Sequence, residues 1–372
     1  MKNEINENFK EKYLNFLDTL KKNSIYQYYP VKDGYTKEGR EIELGLSCFA
    51  IKSLYILDEW KNISSEKRNN WLKYLNEFQN NKKNNFQDGS FIDNNYFDNI
   101  TKLSPIKETK RTIKKAIYGT SNVKSKNEEV GEFIRAETKQ AIATLYQVGS
   151  HNNKKYHDQI FYHGNVTDYL NTLDWSKPWN AGAQFSALCV FLETQEKENH
   201  LYNETKKELV SFSDNLIDYE TGAYFKNNIP KKTELVNGAM KVLTGLDWID
   251  ESIHEPNKLI DTCLAITPDG YGCDIVDIVY VLYRCSNNND YKKNEINSFF
   301  NSIEEMIFDH YFSNSGGFSY YVGKSQLYYY GLNITKGLNE ADIHGSTLLL
   351  WALSMIYDFR ESTIIKLNIL KP

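Results

Sequence analysis

This sequence of 372 residues lacks a Cys-x-x-Cys pair, an apolar run of membrane-spanning length and a strong charge imbalance. Its five cysteines include no Cys-x-x-Cys pair and mostly stand in apolar stretches, so we expect reduced core residues in a cytoplasmic protein. No stretch approaches the roughly 18–20 apolar residues that span a bilayer, and no apolar signal segment opens the sequence. The net charge of −5 is mild, which indicates neither a nucleic-acid nor a membrane-surface partner.

What the sequence does contain is a series of helix-length stretches that are apolar almost throughout. A helix that is apolar on most of its circumference has to be buried on most sides. Stretches with only one apolar face alternate with them, at 67–78, 166–173, 203–216, 256–264 and 294–311. The nearly all-apolar stretches are 43–60, 135–148, 181–194, 236–249, 274–285 and 344–359.

The alternation of buried and half-exposed helices predicts an all-α fold, an (α/α)6 toroid of about six helical hairpins in one domain over residues 1–372. The N-terminal segment, with an apolar face at Phe9, Tyr13, Phe16, Leu17 and Leu20, would pair with the last buried helix and close the ring. A helical solenoid is the competing architecture.

Four connectors that follow half-exposed helices combine a glycine turn with aromatic residues. They lie at 86–91, 218–224, 268–272 and 315–319. Glycine permits a positive-φ turn, and we expect the aromatic to fill the gap between neighbouring hairpins.

These repeats resemble those of the terpenoid cyclases and of the β-subunits of protein prenyltransferases. The resemblance rests mainly on Gly316-Gly317-Phe318 and on residues 340–351, with 86–91 similar to the repeats of squalene cyclases. It covers about 43–359 and implies an enzyme acting on an isoprenoid or lipid-like substrate in a central cavity. Asp274-Ile-Val-Asp277 differs from the Asp-x-Asp-Asp motif of proton-initiated cyclases, and Asp-Asp-x-x-Asp is absent.

In such a toroid the inner helices run parallel, and their N-terminal ends meet at one mouth of the cavity. Free N–H groups and a partial positive charge at those ends favour anions. Polar residues recur there in otherwise apolar stretches and are candidate substrate-binding residues. The set is Arg135, Glu137, Gln140, Trp179, Asn180, Gln184, Asn237 and Lys241. Together with Lys139, they would suit a diphosphate or an acidic sugar.

The candidate catalytic residues are Asp274, Asp277, Asp342 and His344. Asp274 and Asp277 stand three apart on one helix, so one carboxylate would raise the pKa of the other and create a general acid. Helix capping by first-turn acids is the simpler alternative for Asp274. The resemblance to prenyltransferases also raises a zinc site from Cys273, Asp274 and His344, although zinc needs three or four convergent ligands; no cofactor is otherwise expected.

One polar segment, at about 92–132, interrupts the repeat and carries a basic run at Lys107, Lys110, Arg111, Lys114 and Lys115. A connection this long is typical of a lid, an added helix or a disordered loop. Three functions stay open on the sequence: a terpenoid-cyclase-like enzyme, a carbohydrate-active lyase, epimerase or hydrolase, and a non-catalytic binding protein. The expected partner is a small-molecule or glycan substrate, and the sequence does not set the oligomeric state.

Overall fold

Helices form at the stretches where the spacing of apolar residues predicts them. The computed structural model describes residues 5–79, 86–102 and 126–372, and 57% of these residues are helical, which confirms the all-α class. Within those ranges no helix is both long and apolar enough to cross a membrane. Numbered along the described residues, the helices are α1 (Glu7–Thr19), α2 (Lys37–Glu41), α3 (Leu44–Ile56), α4 (Ser65–Glu77), α5 (Asn94–Thr101), α6 (Lys126–Gln147), α7 (Gln159–His163), α8 (Val166–Asn171), α9 (Pro178–Gln195), α10 (Tyr202–Asp214), α11 (Lys232–Trp248), α12 (Pro256–Leu264), α13 (Gly272–Cys285), α14 (Lys293–Asp309) and α15 (Ile343–Phe359).

Six of these helices are the predicted apolar stretches, and we call them the core helices: α3, α6, α9, α11, α13 and α15. Each contacts the next one along the chain, and α15 contacts α3, so the contacts run in a closed cycle. The intervening helices are amphipathic and lie against the core helices, as α10 does on α9 and α12 on α13. Burial on nearly every side explains why α3, α9 and α15 carry few polar residues.

The contact between the first and last core helices is fixed by buried hydroxyl groups. Ser53 Oγ and Thr347 Oγ1 are 2.9 Å apart, and Tyr13 of α1 bonds to the same Ser53 at 2.9 Å. Buried hydroxyls have to find partners, so this chain of bonds sets the register of three helices. The N-terminal helix therefore lies where α3 and α15 meet.

Glycines lie at the contact between α9 and α11, which pack more closely than the other neighbouring core helices. A Cβ on Gly238 would lie 2.5 Å from Cβ of Pro178, a distance that a real side chain could not keep. Glycine at this position lets the two helices approach closely along their length.

The predicted glycine turns all adopt the left-handed conformation. At Gly316 a Cβ would meet the backbone oxygen of Lys12 at 2.2 Å, so both space and φ require glycine there. The φ values are +80° at Gly89, +72° at Gly222, +75° at Gly270 and +86° at Gly316.

The aromatic residues of these connectors behave as expected in three of the four cases. Phe91, Tyr224 and Phe318 are buried, whereas Tyr271 is 48% exposed. The Tyr271 turn begins α13 directly, so its ring remains at the surface instead of filling the space between hairpins.

Two short antiparallel hairpins interrupt the helices between α14 and α15. One pairs β1 (Tyr311–Phe312) with β2 (Gly317–Phe318), and the other pairs β3 (Tyr328–Tyr329) with β4 (Leu332–Asn333). The second hairpin carries Tyr330 at its turn with a φ of +40°. Periodicity did not predict these strands because each has only two residues.

The segment 92–132 is described in part. Its first residues form α5 and its last begin α6, which starts earlier than the predicted 135. The basic run from Lys107 to Lys115 lies outside the described residues.

Candidate active site

The core helices surround a cavity with a volume of about 2210 Å³. Every core helix contributes side chains to its lining. Polar side chains in the wall of an otherwise apolar cavity are typical of ligand sites. The central polar and aromatic lining residues include Phe49, Lys52, Lys139, Gln184, Ser186, Lys241, Asp277, His344 and Trp351.

Three lysines on three different core helices give the cavity a cationic wall. Lys139 Nζ donates to Ser186 Oγ at 3.2 Å, and within the described chain neither Lys52 nor Lys241 forms an ion pair with a carboxylate. Burial, followed by repulsion from Lys241 and Lys52, lowers the pKa of Lys139 to about 7. Burial also lowers the pKa of Lys52. Lysines gathered in the wall of one cavity attract an anion.

Asp277 of α13 contributes a carboxyl group to the cavity lining, on the same side as Lys241. It is only 2% exposed, and its Oδ2 is buried without a hydrogen-bond partner. Burial raises the pKa of Asp277 to about 7, against a lowering effect of Lys241 and a smaller raising effect of Asp274. A carboxyl group that gains or loses a proton near neutral pH suits general acid–base chemistry.

His344 lies in the same wall between two aromatic rings. Its ring centroid is 4.5 Å from that of Phe49 and 5.6 Å from that of Tyr320, with Nδ1 buried and unpartnered. Burial, then Lys52 and Lys241, lower the pKa of His344 to about 3. The imidazole is therefore neutral at physiological pH, where it can bind a substrate but not act as a cationic acid.

Two predicted substrate-binding residues bind each other. Arg135 donates to Asp158 Oδ2 at 2.7 and 3.0 Å and to Gln184 Oε1 at 2.7 Å. Because the guanidinium fork is already occupied, Arg135 holds Gln184 and the loop before α7 in place. The Arg135 side chain is still part of the cavity lining and adds its positive charge to it.

The remaining predicted residues in the lining are uncharged. Gln140 donates to the backbone oxygen of Gly45 at 3.3 Å. Trp179 and Asn180 lie at the beginning of α9, where the Trp179 side chain is 39% exposed. They place an aromatic face and an amide at the start of a core helix, within the cavity lining.

Four predicted residues do not belong to the lining. Asp274 accepts a bond of 2.7 Å from Asn237, which joins the starts of α13 and α11. Glu137 is buried and accepts from Tyr329 at 3.0 Å; burial raises its pKa well above the ordinary value. Asp342 accepts backbone bonds from Gly345, Tyr320 and Gln326, so it caps α15 and holds the preceding loop.

The described residues contain no group of three or more His, Cys, Asp and Glu side chains arranged to hold a metal ion. Cys273 and His344 both line the cavity, but Asp274 is bonded to Asn237 instead. These three residues therefore do not converge as the zinc hypothesis required.

The sequence interpretation missed Lys52, which lies in the middle of α3. Lys52 is the one charged residue in a helix that is otherwise almost entirely apolar. Because a buried cation needs polar surroundings, this position could have predicted a polar cavity beside α3. Trp351 was missed as well; its Nε1 is buried without a partner, two turns after His344.

One end of the cavity is lined by residues 370–372. The backbone N–H of Lys371 donates to Gln147 Oε1 at 2.7 Å, and Trp248 Nε1 donates to the backbone oxygen of Pro372. Asn368 reaches the carbonyl oxygens of Tyr55 and Ile56. This segment therefore crosses the C-terminal ends of α3, α6 and α11.

No protein-family model matches the chain, and no curated protein or solved structure is significantly similar to it.

Proposed function

We propose that the core helices are the inner layer of an (α/α)6 toroid and that its cavity is an active site for an anionic substrate of carbohydrate size. The closed cycle of helix contacts supports the toroid. The substrate class rests chiefly on one observation: three lysines of the core helices line the cavity together with Asp277, which interacts with Lys241.

An acidic sugar fits this chemistry well. Lysines that bind a uronate carboxylate neutralise its charge, and they stabilise the enediolate that forms when the adjacent carbon loses its proton. Asp277, with a pKa near 7, then takes up or returns a proton. Neutral His344 and exposed Trp179 supply a hydrogen bond and a stacking face for the sugar.

The chemistry of Asp277 and the lysines favours elimination or epimerisation over glycoside hydrolysis. A hydrolase of the common type uses two carboxylates on either side of the scissile bond. The structure turns Asp274, the predicted second member of the pair, toward Asn237. Proton abstraction beside a carboxylate needs one acid–base group and a charge clamp, which Asp277 and the lysines provide.

The isoprenoid hypothesis is the second candidate. Phe49, Leu348 and Trp351 form an apolar part of the lining, and the lysines would hold a diphosphate. The same lysines would repel a carbocation, however, so this hypothesis ranks below the acidic sugar. A cytoplasmic location remains part of the proposal; the free cysteines, most of them buried, are compatible with it.

The test compares ligands that differ only in charge. Galacturonate and glucuronate oligosaccharides should raise the melting temperature of the protein, and their neutral hexose counterparts should not. Turnover, followed by the absorbance of the unsaturated product or by exchange of the α-proton with deuterium, should be lost in Asp277→Asn and retained in Asp274→Asn. Stabilisation by farnesyl diphosphate without a uronate effect would favour the second candidate, and ligand binding that does not need Asp277 would indicate a binding protein.

A further inference from the structure

Lys139 lies among other cations in the cavity lining. It lies on α6, where Lys241 of α11, Lys52 of α3 and Arg135 of its own helix lower its pKa, while Cys189 of α9 raises it. Its amine bonds to a hydroxyl, Ser186 Oγ, while Arg135 of the same helix forms an ion pair with Asp158. An amine that is withdrawn from bulk water and surrounded by cations loses its proton readily.

A neutral lysine amine is a nucleophile, whereas a charged one is not. Burial and the flanking lysines lower the pKa of Lys139 to about 7, so about half of the molecules carry a neutral amine at that pH. An ordinary lysine, with a pKa of about 10.4, is neutral in only about one molecule in 2500.

We propose that the Lys139 amine forms an imine with the carbonyl group of an anionic aldehyde or ketone, whose carboxylate or phosphate is held by Lys52 and Lys241. This inference rests on the proposed anion-binding cavity and narrows its substrate class to carbonyl compounds, such as the open-chain form of a uronate. The imine would draw electrons from the adjacent carbon, which makes its proton easier for Asp277 to remove.

The step balances within the reacting pair. Lys139 Nζ attacks the carbonyl carbon, the C–N bond forms, and the electron pair of the C=O π bond moves to oxygen. The nitrogen passes its two protons to that oxygen, which leaves as water while the C=N bond closes. The reverse reaction with water releases the product and restores the amine.

Reductive trapping tests the inference on the full-length protein. The protein is incubated with glyoxylate or with uncharged propionaldehyde at several pH values in the presence of cyanoborohydride, and modified lysines are located by peptide mass spectrometry. At pH 7, Lys139 should be modified before exposed lysines such as Lys207. This preference should fade toward pH 10, where ordinary lysine amines also lose their protons. Glyoxylate should label Lys139 faster than propionaldehyde does.

Matched variants separate charge from side-chain size. If loss of one cation raises the pKa of Lys139 by about one unit, Lys52→Met and Lys241→Met should each slow its labelling by propionaldehyde about fivefold at pH 7. Lys52→Arg and Lys241→Arg keep the charge and should retain the wild-type rate. Lys139→Arg should remove the adduct, with circular dichroism as the check on its fold.

The inference is overturned if Lys139 is modified no faster than Lys207 at pH 7, or if the two Met variants label at the wild-type rate. Uronate turnover that depends on Asp277 but persists in Lys139→Arg would overturn the imine and leave the proposed function intact. If uronates also fail to bind, the proposed function fails with it.

Discussion

Asp277 is expected to support catalysis and at the same time to destabilise the folded protein. One substitution at this position therefore tests both expectations. The carboxyl group is buried, and its pKa rises from an ordinary 3.8 to about 7. Between those values the unfolded chain is ionised while the folded protein keeps its proton, so the folded state loses stability as pH rises toward 7. Above pH 7 the folded protein carries a buried charge that the unfolded chain exposes to water at little cost.

Asp277→Asn removes this penalty, since an amide never ionises. At about 1.36 kcal/mol for each pKa unit, the variant should gain about 4 kcal/mol over wild type at pH 8 but only about 1–2 kcal/mol at pH 5. The assay is urea unfolding at both pH values, followed by circular dichroism. The variant should at the same time lose uronate turnover, because the amide cannot transfer the proton.

Asp274→Asn is the matched control for this prediction. Its carboxylate lies three residues earlier on the same helix, is only partly buried and already accepts a bond from Asn237, so it should show a smaller dependence on pH. A difference between Asp277→Asn and wild type that stays constant from pH 5 to pH 8 would refute the argument. So would an unstable variant, which would make Asp277 a structural acid.

The remaining predictions concern the cavity lysine, helix packing and a helix cap. Lys139→Met should raise the unfolding free energy by up to about 5 kcal/mol at pH 6, and by less at pH 9, because only below its native pKa near 7 does the folded protein carry the full buried charge; an equal gain at both pH values would contradict this. Gly238→Ala should lower the free energy of unfolding in urea by about 1–3 kcal/mol, because its Cβ collides with Pro178. Gly131→Ala has open space around it and should raise that free energy by up to about 1 kcal/mol. The packing argument fails if both changes have the same sign. Asp342→Ala should lower the melting temperature through the loss of three backbone bonds, at a cost of about 1–3 kcal/mol, and Asp342→Asn should restore part of it.

The helices followed from the sequence because burial imposes strict periodicity. The stretch predicted at 236–249 is the helix Lys232–Trp248, and the one predicted at 344–359 is Ile343–Phe359. The largest difference in a core helix is the start of α6, which begins at Lys126 within a polar segment where apolar spacing gives no signal. The two hairpins were missed because two-residue strands are too short to show alternation.

The site was harder to predict because side-chain direction depends on small rotations. Residues three apart on a helix differ by about 60° around its axis, and this is enough to turn Asp274 toward Asn237 while Asp277 faces the cavity. Glu137 lies two residues from Arg135, which places it on the opposite side of α6. The residues at the starts of the core helices therefore lie on several helix faces, and only some of them line the cavity. Lys52 was not predicted because it lies in the middle of α3.

The bond between Ser53 and Thr347 joins residues that are 294 positions apart. At a synthesis rate of about 5–20 residues per second, the first core helix waits roughly 15–60 seconds for its last neighbour to leave the ribosome. During that interval an apolar flank of α3 stays uncovered, and it is a natural binding surface for a chaperone. The cyclic arrangement of the core helices thus delays closure of the cycle until α15 has been synthesised, and α3 is most prone to aggregation before that point.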